Sequence, residues 1–518
     1  MLPTMDAQTA LSRRQFLTIF GRTGLGVFAL TFGRAHQSVA HQGRTGLPPD
    51  VFYIEARTVT WELAPGKVIN GFGYNGQIPG PLIRAKEGDR LRVLLDNDLP
   101  GLQTAIHWHG VDEPPVPAHP HAIPMDPVTT GHQFLYDFTA TPAGSRWYHP
   151  TLIRGKQGEH IGTMQKDLGM AGPLIIDPVG PESFPYDREH LVFLDSWVVG
   201  TGPPLPNTVF GTAVAGSGRS MASRMQTMMG SRESMGPMMG GRIGGPLTRS
   251  YDTMSINGKA YPATEPLVVR QGERVRLRFF NNSNTATHVI RLANHPLQVT
   301  HTDGNPLLEA VPVDALPIAP AERYDALFTA NRPGVHMLYC TQPGHAAAGE
   351  MVPVVYEGYE AAPSAPPVLS LAGQRIWHYA LGQGRDILPS ATGQVREFHL
   401  TLSGIPLRDV WMINGKARPH TDRLTVRHGD LVRVVFTNMS PWNHPFHLHG
   451  MPFKVVAVNG YRLPHPLVKD TVDVHPHMGQ VAIEFPAQFV GDWHFHCHIY
   501  PHADGGMFTH VRVTPKSL

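Results

Sequence analysis

The sequence predicts an all-β protein built from several sandwich-like domains, and three observations carry that expectation. Short runs of alternating polar and apolar residues recur from Val51 onward, for example at residues 90–95, 134–138 and 432–436. A period of two puts one face of each such strand into a core. The runs are separated by turn-forming residues, 53 Gly and 49 Pro in all, with few stretches of helical periodicity. Finally, residues 276–282 (RLRFFNN) precede His288 at the same spacing as residues 432–438 (VRVVFTN) precede His444. One domain design is therefore repeated.

A length of 518 residues suits about three such domains, each able to bury its own core. Breaks are expected in the proline-flanked stretch 181–185 and the Ala/Pro-rich stretch 361–367. They divide the chain into domains at 45–182, 186–358 and 395–518, with a linker at 359–394. Residues 1–40 are an address: Ser12-Arg13-Arg14-Gln15-Phe16-Leu17 is a twin-arginine pattern, and Ser38-Val39-Ala40 offers a cleavage site. The apolar run at 25–32 is too short and too Gly-broken to span a bilayer. Export through the twin-arginine machinery to a bacterial periplasm, without a permanent membrane anchor, is expected. A net charge of +2 implies no nucleic-acid partner. Two cysteines, Cys340 and Cys497, leave no disulfide framework once both are assigned to metal.

The most informative stretch runs from His494 through His496-Cys497-His498 to His502 and Met507. In a strand, His496 and His498 share one face and Cys497 takes the other. A thiolate, two imidazoles and a weak axial thioether make a blue-copper (type 1) electron-transfer site. Cys497, His502 and Met507 supply three of these ligands, and His444 in the run Asn443-His444-Pro445-Phe446-His447-Leu448-His449-Gly450 supplies the fourth. The two histidines flanking Cys497 would reach a different metal centre behind it.

Together with His107-Trp108-His109-Gly110, this stretch resembles the copper signature of the multicopper oxidases, from about Val51 to the C-terminus. The resemblance implies three cupredoxin-like Greek-key barrels and a trinuclear copper cluster between the first and third. It assigns His107 and His447 to the type 2 copper, and His109, His149, His449, His496 and His498 to the type 3 pair. The chain departs from the family pattern at Trp147-Tyr148-His149-Pro150-Thr151, where Thr151 stands in place of a type 3 imidazole. A hydroxyl is a poor copper ligand beside imidazole. Three outcomes are open: two histidines and a water hold that copper, His160 swings in, or the site is partly demetallated. Asp126 resembles the family's proton-donating acid, although the glycine that usually follows it is missing; a turn-capping role is the alternative.

Two further features belong to the middle domain. His288, Cys340, His345 and Met351 repeat the C-terminal ligand order, with 52 residues from His288 to Cys340 against 53 from His444 to Cys497. Cys340 to His345 is five residues, as is Cys497 to His502. A second type 1 copper is expected there; the alternative is an inert buried thiol. The cluster-binding histidines are replaced by Arg291, Ala293, Tyr339 and Thr341. Met221, Met225, Met228, Met229, Met235, Met238 and Met239 lie among Gly, Ser and Arg without apolar periodicity. Thioethers suit Cu(I), and the segment resembles the Met-rich insert of cuprous oxidases; a merely Met-biased loop is the alternative. His119 and His121 in a Pro-rich loop are weaker candidates for catching copper.

The expected activity is one-electron oxidation of a small reducing donor, Cu(I) or a phenolic, coupled to reduction of O2 to water, with a role in copper tolerance. The rivals are a copper-binding electron-transfer protein with an impaired cluster and a non-enzymatic envelope protein of the same fold.

Overall fold

The computed structural model describes residues 11–12, 48, 50–112, 127–152, 161–200, 251–360, 371 and 373–516. Three two-sheet units follow one another. The first pairs Leu11–Ser12, His132–Thr139, Arg90–Asn97, Val51–Ala64 and Lys67–Tyr74 in that order, and faces a four-stranded sheet of Ile83–Lys86, Gly172–Asp177, Gly144–Pro150 and Ile106–His109. Leu11 and Ser12, inside the expected export segment, occupy an edge position beside Gln133 and His132. An extended segment can pair there because an edge strand leaves backbone groups open.

The middle and third units repeat each other strand for strand. One sheet of the middle unit runs Leu267–Val269, Met351–Tyr356, Val335–Cys340, His288–Leu292, Leu316–Ile318. Its counterpart runs Leu424–Arg427, Phe508–Thr514, Gly491–Cys497, His444–Leu448, Thr471–Val474. In all three units the opening strand lies parallel to a later one: Val51–Ala64 on Arg90–Asn97, Arg188–Trp197 on Arg274–Asn281, Val395–Ile405 on Leu431–Asn438. This recurrence bears out the all-β, cupredoxin-like expectation. The alternating runs at 90–95, 134–138 and 432–436 are strands whose inward residues, such as Leu91, Val93, Val432, Val434 and Phe436, are buried.

Within residues 373–384, placed in a linker by sequence, Trp377, Tyr379 and Leu381 pack against the core. Trp377 is buried in the core shared by the middle and third units. The Tyr379 hydroxyl donates to Glu322 Oε1 (2.7 Å) and accepts from the Asp473 amide (2.9 Å). Proline and alanine signal a break in regular structure, but a buried indole and a doubly bonded phenol pin the strap that follows.

The units are also joined by buried charge. Arg323 of the middle unit grips the Asp470 carboxylate of the third through two nitrogens at 2.6 and 2.5 Å. Lys469 reaches Asp303 (3.1 Å) and Glu322 (3.0 Å). Between the first and middle units, Glu189 accepts from Arg84 and from Arg278 (2.8 Å).

Candidate metal centre

Four antiparallel strands set the site. His107 pairs with His149 across the first unit, and His447 pairs with His496 across the third. The two sheets meet with His107 Nε2 3.1 Å from His447 Nε2. His109 Nδ1 lies 3.2 Å from His149 Nε2, and both gather with His498 in one buried group. His449 Nε2 lies 3.1 Å from His496 Nε2. All seven imidazoles that the sequence expectation assigned to the cluster are therefore brought to one interface, in three small sets.

Each histidine pair ends in a glycine for a steric reason. Gly110 has φ +81°, and a Cβ there would meet Arg323 Nη2 at 2.5 Å and Asp470 Oδ2 at 2.7 Å. Gly450 has φ +72° and sits against the Trp493 ring. Only glycine takes such a left-handed turn this close to its neighbours at no steric cost.

Partners around the rings fix which nitrogen faces inward. His447 Nδ1 donates to the Asp470 carbonyl (2.8 Å), His149 Nδ1 to the Pro150 carbonyl (3.0 Å) and His496 Nδ1 to the Cys497 carbonyl (3.0 Å). Each leaves its Nε2 lone pair pointing into the site. The Tyr500 hydroxyl also lies 2.9 Å from His149 Nδ1. His109 Nε2 faces Asp470 Oδ1 at 3.1 Å, freeing Nδ1 instead. Burial holds the imidazoles neutral: His447 is pushed down to about 4 and His496 to about 3, and the others lie well below the ordinary value. Neutral imidazole is the ligating form.

On the far side of the same strand, Cys497 Sγ lies 3.6 Å from His444 Nδ1 and 3.7 Å from His502 Nδ1, which are 3.1 Å from each other. Met507 is fully buried, and its carbonyl accepts from the Cys497 amide at 3.1 Å. Trp411 stacks on His502 with ring centroids 3.6 Å apart. Ser440 Oγ, 2.8 Å from His444 Nε2, leaves Nδ1 for a metal. Burial pushes the Cys497 thiol well up; a bound cation reverses this by deprotonating a coordinating thiol outright.

The donors fit copper. The His2Cys triangle is the soft trigonal set that copper takes. Both nitrogens of His498 are buried without a hydrogen-bond partner among the described residues, as is Nδ1 of His107 and of His449. Such orphaned polar atoms are costly unless a ligand satisfies them.

Thr151 follows His149 directly beyond the strand, and its amide donates to the Ala105 carbonyl at 3.1 Å. It is buried, and its hydroxyl oxygen has no partner among the described residues. Among the described residues, no third donor groups with His449 and His496 as His498 groups with His109 and His149. His160, Asp126, His119, His121 and the methionines between 221 and 239 lie outside the described residues, as do the twin-arginine pair and the cleavage site.

In the middle unit the axial expectation is corrected. Met351 opens the strand Met351–Tyr356, pairs with Tyr339, and packs with Met337 and Tyr339. The register position of Met507 is held by Glu350, whose carbonyl accepts from the Cys340 amide at 3.1 Å. One residue of offset turns a strand side chain to the opposite face.

Sequence reasoning missed the supporting groups. Asp470 touches His109 and, gripped by Arg323, is held well below the usual carboxylate range despite its burial. Lys166 lies 5.2 Å over the Tyr500 ring, donates to Asn284 Oδ1 (2.9 Å), and is lowered by burial to about 8. Asp112, three residues past His109, is raised by burial to about 6. None of these belongs to a ligand motif. Only Asp112, an acid just after a histidine pair, stood close enough in sequence to be suspected.

Family models described as multicopper oxidase match residues 55–180, 227–356 and 392–517. The chain is 31% identical over 475 residues to multicopper oxidase MmcO of Mycobacterium tuberculosis, spanning 88% of this chain and 87% of that protein. It is 25% identical over 552 residues to a copper resistance protein A homolog of Pseudomonas syringae pv. tomato, spanning 86% and 90%. The fold matches the laccase of Botrytis aclada with a TM-score of 0.67 at 21% identity, covering 89% of this chain and 87% of that one.

Proposed function

The chain belongs to the multicopper oxidases, copper-dependent oxidoreductases that use dioxygen, and on that premise we propose a periplasmic enzyme that oxidises Cu(I), with phenolic donors as slower alternatives. We assign a type 1 copper to His444, Cys497, His502 and Met507, a type 2 copper to His107 and His447, and a type 3 pair to His109, His149 and His498 on one side and His449 and His496 on the other. When bound, the coppers supply one-electron transfer from the donor and the four-electron reduction of dioxygen to water.

The observation that carries the reading is the run His496-Cys497-His498. Its thiol faces one buried donor set and its two imidazoles face another, so a few covalent bonds join them. The protein's part is to keep both sets dry, neutral and aimed. Buried rings lose their protons, main-chain carbonyls and Tyr500 set the tautomers, and Asp470 is clamped by Arg323 against His109.

Cu(I) is supported by the methionine-rich run 221–239 and by the relative named for copper resistance. Export by the twin-arginine route rests on Arg13 and Arg14. The test is oxygen uptake by the copper-loaded protein with Cu(I) and with a small phenol, before and after deleting residues 221–239. Loss of the Cu(I) rate with the phenol rate kept supports the assignment, whereas equal losses remove it. Absence of oxygen uptake with either donor would favour the electron-carrier reading that Thr151 motivates.

A further inference from the structure

The middle unit contains a buried donor set that the oxidase chemistry does not use. One ligating atom from each of His288, Cys340, His345 and Glu350 lies within 4.8 Å of all the others, and all four residues are buried. Cys340 Sγ is 3.5 Å from His345 Nδ1. The Glu350 carboxylate lies with Oε1 2.5 Å from His288 Nδ1 and Oε2 3.0 Å from His345 Nδ1. The frame is that of the C-terminal site. Ile290 pairs with Cys340 as Phe446 pairs with Cys497. Ser283 Oγ lies 2.7 Å from His288 Nε2, as Ser440 Oγ lies 2.8 Å from His444 Nε2, and so turns Nδ1 inward. The Glu350 amide donates to the His345 carbonyl (3.0 Å) as the Met507 amide donates to that of His502 (2.9 Å).

Two things differ, and both point the same way. A carboxylate replaces the thioether, so with Cys340 ionised the ligands carry two negative charges that match a divalent cation. Carboxylate oxygen is a hard ligand, which favours copper(II) or zinc(II) over copper(I). The residues flanking the thiol are Tyr339 and Thr341, and the partner of Tyr339 is Arg291, so no imidazole leads away from it.

We propose that His288, Cys340, His345 and Glu350 form a second metal site that holds a divalent ion in one oxidation state, stabilising the middle domain without relaying electrons. Copper(II) takes the site when both metals are offered, by the general affinity order, and zinc(II) fills it when copper is withheld. The inference is independent of which donor the oxidase uses.

The test uses the full chain carrying Cys497→Ser, which removes the C-terminal thiolate, loaded separately with copper(II) and zinc(II) and then desalted. Elemental analysis should find one ion per chain that a further Cys340→Ser or Glu350→Gln removes. With copper, a visible thiolate–copper absorption should remain and should persist at an ascorbate concentration that bleaches the C-terminal site of the parent protein. Glu350→Met, which restores the thioether, should make that absorption bleachable. In the parent background, Cys340→Ser should leave oxygen uptake unchanged. If Cys340→Ser and Glu350→Gln bind as much of both metals as their parent, the carboxylate merely bridges two imidazoles and the proposal falls. If the residual absorption bleaches alongside that of the C-terminal site, its fixed oxidation state is disproved.

Discussion

The middle and third domains share strand order, register and a His–Cys–His frame, yet their buried sites are set up for different work. In the third domain we assign a buried thioether, Met507, to the donor set, and imidazoles flank the thiol on the opposite strand face. In the middle domain a carboxylate takes the thioether's place, and Tyr339 and Thr341 flank the thiol. The lesson, on the assignments proposed above, is that one frame can present a metal-binding donor set in both domains while the residues flanking its thiol differ. Four residues in each domain, outside that donor set, carry the difference: His447, His449, His496 and His498 against Arg291, Ala293, Tyr339 and Thr341.

The largest expected effect sets the two thiols against each other. Cys497→Ser should lower oxygen uptake by more than about 100-fold, since loss of a ligand exceeds the effect of losing a ligand's hydrogen-bond partner. Cys340→Ser should leave uptake at the parent rate. A comparable fall in both would erase the functional distinction between the domains.

Next comes the incomplete side of the cluster. Thr151→His should add the imidazole missing beside His449 and His496 and raise copper per chain, with turnover rising alongside, as read by elemental analysis and oxygen uptake. If Thr151→His changes neither while His160→Ala empties the site, His160 supplies the ligand instead. No change in either variant would remove Thr151 from the account of the cluster.

A matched pair of serines probes the shared frame. Ser440→Ala and Ser283→Ala each release the outer nitrogen of a ligand histidine, and each should weaken metal retention about 10-fold at its own site only. Competition with a chelator measures this. Equal retention in Ser283→Ala and its parent would mean that the middle-domain frame orients no ligand.

The smallest effect concerns how the middle domain is held. Burial raises the Glu189 carboxyl, but Arg278 and Arg84 outweigh burial and set it at about 2, below its ordinary 4.5. A depressed acid contributes stability that is present above pH 4.5 and lost as the pH falls toward 2. The contact between the first and middle domains should therefore loosen over that window, and Glu189→Gln should flatten the acid limb of a melting-temperature profile. The Arg323–Asp470 clamp to the third domain is more deeply buried, and Asp470 lies lower still. Its acid transition should come at lower pH.

By itself the sequence determined the all-β class, the repeated domain design and most of the imidazoles and thiols that gather in buried groups. Strand alternation and fixed spacing are local, and they survive translation into structure: His496 and His498 on one face, Cys497 on the other. The resemblance to the multicopper oxidases also singled out Thr151 as a departure from the family pattern. The tertiary structure alone decided what depends on contacts between distant segments. Counting from His345 put the thioether at Met351, one residue late; the hydrogen bond from the Cys340 amide to the Glu350 carbonyl sets the register, and a single step exchanges faces. Asp470 and Tyr500 carry no ligand motif, because their roles come from meeting His109 and His149 of another domain, and Arg323 and Lys166 come in behind them on Asp470 and the Tyr500 ring. The strap around Trp377 read as linker for the same reason, since what holds it is an indole and a phenol reaching groups far away in the chain.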